Sequence, residues 1–341
     1  MRTARNQSIL LMTFFILFVF ESSRAAEPLT LIQTVPLPAL REGDDFDHFA
    51  VDLTGHRLFL TAEQGVVEVF DLRKNKLIQT LTDLKEPHSI VYRADIKRLF
   101  VVDGGAAALK IYDGDSYKPL DSVKLTEDAD SMGYDPVSNY MYIVNGGRAA
   151  HTPYSLISVV DTTSAKKLAD IRIETNRVEA LALAKSGPRL FANMTGVNAV
   201  GVIDRKTRTI LATWSVAAAA EQNVPLAFDE ADHRLLLVGR KPSTLIVLDS
   251  DSGKIVATLP CVDMVDDLAY DPKTRRIYAP GTEFVDVIQQ NDADRYERIG
   301  HIAGAFRAKT AILIPALGRY YLAAPRHGDK AAELRVYKVT P

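Results

Sequence analysis

Six ionisable side chains recur at one place in a repeated motif, and together they have the make-up of an acidic pocket with a basic counterweight. The motif is an anchor residue followed by an apolar and usually an aromatic residue: Arg57-Leu58-Phe59, Arg98-Leu99-Phe100, Tyr140-Met141-Tyr142, Arg189-Leu190-Phe191, Arg234-Leu235-Leu236, Arg276-Ile277-Tyr278 and Arg319-Tyr320-Tyr321. Ten residues before these anchors stand Asp47, His88, Asp130, Glu179, Val224, Asp266 and Lys309. The next column reads His48, Ser89, Ser131, Ala180, Pro225, Asp267 and Thr310, and the one after it is apolar throughout, from Phe49 to Ala311. With His88 neutral, the four carboxylates and Lys309 sum to −3. Like charges brought together raise one another's pKa or recruit a cation.

Such a ring suits recognition of a small polar ligand or a protein partner, helped by charged residues on nearby loops: Arg148, His151, Arg240, Lys241, Arg326 and His327. It also suits a divalent metal. Asp130, Glu179 and Asp266, with Asn145 or Asn193, offer the oxygen ligands that Ca²⁺ or Mg²⁺ prefer. His88 is a further metal-ligand candidate, and His88 or His48 would act as general base in a metal-assisted hydrolase or lyase. A transition-metal site on His48, His88 and the carboxylates is a third arrangement. The plain alternative is a polar rim screened by water and Lys309.

The elements that must position these residues are short strands. Successive anchors lie 41, 42, 49, 45, 42 and 43 residues apart. Each repeat holds short alternating runs split by Asp, Gly, Pro and Lys turns, among them Val67-Glu68-Val69-Phe70-Asp71 and Lys76 to Leu81. Period-two alternation at this spacing, with no 3.6-residue period, predicts four strands per repeat and an all-β seven-bladed β-propeller over residues 26–341. The last repeat ends after three strands, and Leu31-Ile32-Gln33-Thr34-Val35 nearly copies the fourth-strand segment Leu77-Ile78-Gln79-Thr80-Leu81. The N-terminal strand is therefore expected to complete the last blade. One face of the ring carries uniform Asp-rich turns, whose aspartates bond their own backbone N–H groups. The other carries loops that vary between repeats, the longest being Asn145 to Tyr154. Binding is expected on that variable face.

Tyr142-Ile143-Val144-Asn145-Gly146-Gly147 and Phe100-Val101-Val102-Asp103-Gly104-Gly105 resemble the Tyr-Val-Thr-Asn core of YVTN-repeat propellers, and Val160-Asp161-Thr162-Thr163 resembles the strand and turn that follow it there. The likeness spans residues 26–341 and points to the YncE-like group of exported seven-bladed propellers. It implies a ligand- or partner-binding scaffold, whereas the metal-dependent alternative resembles lactonase propellers, which are typically six-bladed.

Arg2 and Arg5, the apolar run Ile9 to Phe20 and the small residues Ser23 and Ala25 predict a cleaved signal peptide over residues 1–25 and a periplasmic or secreted protein. Twelve apolar residues rise only about 18 Å as a helix, so no stable membrane span is expected after cleavage. With 41 Lys+Arg against 43 Asp+Glu, bulk positive charge for nucleic-acid binding is missing. The single cysteine, Cys261, excludes an internal disulfide framework and Cys-rich metal sites. No Gly-x-Ser-x-Gly elbow, Walker loop or dinucleotide fingerprint is present, and no organic cofactor is implied.

Overall fold

A computed structural model describes residues 26–340, and the segment expected to be a signal peptide lies outside them. Seven four-stranded antiparallel sheets form the blades of a β-propeller, as the repeat spacing predicts. Blade one runs from Phe46–Asp52 to Lys76–Leu81, and each later blade repeats its meander. Alternation gives every sheet two apolar faces, so the core is divided among the seams: each of seven buried clusters joins two neighbouring blades. The first strand of each blade faces the central channel.

Ring closure is provided by strand Leu29–Pro36, which pairs antiparallel with Glu333–Val339 in the last blade. Leu29 is opposite Val339 and Val35 opposite Leu334, and both N-terminal residues are buried. This pairing joins the two ends of the chain within one sheet and leaves no open seam in the ring.

Strict alternation fails at the same place in all seven outer strands. Ile32, Ile78, Leu120, Leu168, Leu211, Val256 and Ile299 are each the extra residue of a β-bulge. Ile78, Leu120 and Leu211 are more than half exposed there. A bulge bends and twists the blade edge, which discourages strand addition by another chain, so these apolar residues have a structural account.

Four anchor arginines act as struts between blades. Arg57 pairs with Asp52 at 2.7 Å, lies over the Tyr92 ring and donates to the Gly114 carbonyl in the next blade. Arg189 reaches Ser250 O at 2.6 Å and Asp251 at 2.7 Å, and Arg234 reaches Asp294 at 2.8 Å. Arg276 donates to Thr340 O at 2.5 Å.

Among the described residues no helix is long and apolar enough to cross a membrane. Leu29 is fully buried, so Leu29→Ala is expected to destabilise the protein by about 2–5 kcal/mol in chemical denaturation. An unchanged midpoint would show that the ring closes without this strand.

Candidate functional site

Every first strand begins at the variable-loop face, so the residues at these starts meet around the channel axis. Asp47, His88 and Val224 lie inside their strands, and Asp130, Glu179, Asp266 and Lys309 stand one to three residues before theirs. All seven line one cavity of about 150 Å³, together with His48, Glu63, Ser131, Arg177 and Arg240. His48, Ser131, Glu179 and Asp266 also line the next section of the channel, about 320 Å³, whose wall is formed by Phe49, Ile90, Met132, Leu181, Leu226 and Leu268. A polar mouth over an apolar throat is thus present as the columns predict.

The charge of the mouth differs from the expected −3, because two arginines enter it. Arg177, two residues before Glu179, pairs with that carboxylate, and Arg240 donates to Asp266 Oδ1 at 2.6 Å. Lys309 Nζ lies 2.8 Å from Asp266 Oδ2 and 3.5 Å from Asp45, which Arg307 also holds at 2.5 Å. His88 Nδ1 is 2.5 Å from Asp47 Oδ2. His48 Nδ1 is 3.0 Å from Asp267 Oδ1, and its Nε2 is 3.3 Å from Asp47 Oδ1. Arg177 and Glu63 escape a column reading because they come from loops whose lengths differ between repeats.

Two carboxyls remain without a partner. Neither Glu63 nor Asp130 receives a side-chain hydrogen bond or ion pair among the described residues, although both face the cavity. Burial, then the charges of Asp47 and Asp45, push Glu63 up to about 7. Burial and the neighbouring Asp47 carry Asp130 well above the usual carboxylate range. For His88, burial favours the neutral ring, but the hydrogen bond and charge of Asp47 outweigh it and push the imidazole up to about 10. His48 is likewise raised, against burial, by Asp47 and Asp267. Asp47 is held well below its ordinary value, since His48, His88 and Lys309 together overcome its burial.

The expected metal set is rearranged. Asp130 and His88 come together with Asp47, with one potential ligand atom from each inside a 4.8 Å span. Glu179 and Asp266 do not join this group, because Arg177, Arg240 and Lys309 occupy them. Asn145 and Asn193 are not metal-ligand candidates, since both are fully buried clamps. Asn145 accepts from Thr126 N and donates to Ile143 O and Ser158, and Asn193 donates to Val224 O and Pro225 O. Asp103, at the matching position of the repeat, accepts from Lys85 N and Glu86 N. Arg148, His151, Arg326 and His327 do not line the mouth cavity. His327 instead stacks on Phe306 at 3.9 Å, beside a groove between blades six and seven.

No protein-family model matches the chain, and no curated protein matches it. Solved structures share its architecture. A chain of Kuenenia stuttgartiensis hydrazine synthase aligns over 84% of this chain and 93% of its own length, at 15% identity and a TM-score of 0.72. A chain in a crystal structure of a mitotic checkpoint complex aligns over 98% and 100%, at 14% identity and a TM-score of 0.74. Likeness at this identity shows the propeller fold alone.

Because the folded protein holds the Glu63 proton to higher pH than the unfolded chain, its ionisation removes stability as pH rises from 4.5 to about 7. Glu63→Gln is therefore expected to raise the melting temperature by roughly 2–8 °C at alkaline pH, an effect that fades below the ordinary carboxylate pKa. Equal melting curves for the two proteins across pH 4–9 would place Glu63 in water instead.

Proposed function

We propose that the protein is a binding scaffold whose channel mouth recognises a small polar ligand with a cationic head. The observation that carries this reading is the pair of unpartnered carboxyls, Glu63 and Asp130, in a cavity where the other charges are matched. A cation entering there would be met by two groups that ionise to receive it. The channel below offers apolar wall for the ligand's body. Resemblance to YVTN-repeat propellers supports the same role, and the predicted leader supports a periplasmic or secreted location. A protein partner presenting a lysine or an N-terminal amine satisfies the same chemistry.

A second reading follows from the Asp47, His88 and Asp130 group, which would take a divalent cation. A nitrogen donor between two carboxylates suits Mn²⁺ or Zn²⁺ better than the expected Ca²⁺ or Mg²⁺. Binding is favoured over turnover. Carboxylates raise both His48 and His88, so neither imidazole is the free base that the hydrolase reading assigned to it.

Isothermal titration with small primary amines, amino acids and divalent chlorides tests the site. Asp130→Asn is expected to weaken binding about tenfold or more while leaving the melting temperature unchanged or higher. Retained affinity would move the site elsewhere. Binding of Mn²⁺ or Zn²⁺ without any amine would select the second reading. Export predicts a purified protein whose N-terminus is at or within two residues of Ala26; mass spectrometry of an intact Met1 would overturn it.

A further inference from the structure

Blade three lacks the anchor arginine, and a cleft opens at the turn-face end of the seam it shares with blade four, above the buried cluster that packs the two blades together. The anchor is an arginine in every other repeat, but here it is Tyr140. The turn it would reach also departs from the pattern. Where Arg57 and Arg189 meet Asp115 and Asp251 across their seams, the matching position of blade four is Lys206. An arginine–aspartate pair has thus become tyrosine and lysine at both ends of one contact, leaving a cleft of about 650 Å³.

The cleft has a defined chemistry. Tyr140, Tyr142 and Val137 line it, and Val137 is 84% exposed, an apolar side chain left in water. Lys185, Lys206 and Arg208 also line it, and among the described residues none of them has a carboxylate within ion-pair distance. Arg205 is not available to a ligand, since it crosses the seam to Asp135 at 2.8 Å and donates to the carbonyls of Ala184 and Gly187 in its own blade. The nearby acids are engaged with backbone: Asp204 accepts from Lys206 N and Thr207 N, and Glu230 from Lys185 N and Ser186 N. Three unpaired cations beside aromatic and aliphatic wall form a complement to an anion that carries an apolar group.

We propose that this cleft, on the face opposite the channel mouth, is a second binding site for an organic carboxylate with an aromatic or branched apolar body. It is independent of the mouth, and it lies on the face whose turns are otherwise occupied by their own hydrogen bonds.

Phenylacetate is the probe, followed by calorimetry and by protein-detected NMR, with benzylamine and inorganic phosphate as controls. Phenylacetate is expected to bind saturably, benzylamine not at all, and phosphate more weakly because it leaves the rings uncovered. Tyr140→Arg combined with Lys206→Asp reproduces the arginine–aspartate pairing of Arg57 with Asp115 and of Arg189 with Asp251. This double variant is expected to melt at higher temperature and to bind phenylacetate at least about tenfold more weakly. Arg208→Gln, an exposed change that leaves the fold alone, is expected to weaken binding severalfold. No binding to the unaltered protein up to roughly 10 mM overturns the proposal. So does equal affinity for phosphate, or phenylacetate binding that survives in both variants.

Discussion

Seven strands that start around one axis are the constraint on which the site depends. Each blade places the start of its first strand next to its counterparts, so a residue type chosen in one repeat becomes the environment of the others. Had the column been apolar, the mouth would have closed as core. With six ionisable groups in it, charge is held in a largely buried place, and all but Asp130 are matched by a partner of opposite charge. Asp47 shows this well. It is almost fully buried, yet stays ionised because two imidazoles and Lys309 surround it. The same arrangement raises the His88 imidazole, and burial beside Asp47 raises the Asp130 carboxyl well above the usual carboxylate range.

Closure of the ring is what keeps that convergence fixed. The strand Leu29–Pro36 joins the end of the chain to its beginning, and the seven apolar seams then resist opening together. Arginine struts reinforce the seams on the turn face, and Asp103, Asn145 and Asn193 fasten loops on the opposite face. The polar residues that look most chemical in the sequence therefore divide by position. Those near the end of the second strand hold backbone, whereas those at the start of the first strand face the cavity.

Much of this was legible in the sequence because a repeat protein carries its own comparison. Blade number, the swapped strand and the composition of the channel column all follow from aligning seven segments. Pairing was not legible. Arg177 and Glu63 sit in loops of unequal length, where no column exists, and whether Arg240 turns inward to Asp266 or outward to solvent depends on a loop geometry that alternation does not encode. Asn145 and Asn193 misled for a related reason. An asparagine beside a variable loop suits a ligand or a buried clamp equally well, and only the carbonyls around it decide. The bulges at Ile78 and its six counterparts were hidden too, since one extra residue leaves an alternating run looking intact on both sides.

The solved structures that share this fold do so at 14–15% identity, and the geometry explains how the fold persists through such divergence. Blade packing uses apolar residues whose spacing, more than their identity, is what matters. The channel column stands at or near the start of each first strand, and its side chains lie outside the seven apolar clusters, though His88 pairs with Asp47 and Lys309 with Asp266 across blades. Asp130, for example, precedes its strand by two residues and contributes only its backbone to the sheet, donating from N to Val144 O. Substitution there changes what the mouth attracts while the blades remain paired. A propeller can therefore change ligand while keeping its fold, and a reading of its function has to begin from the column and the seams where its own repeats disagree.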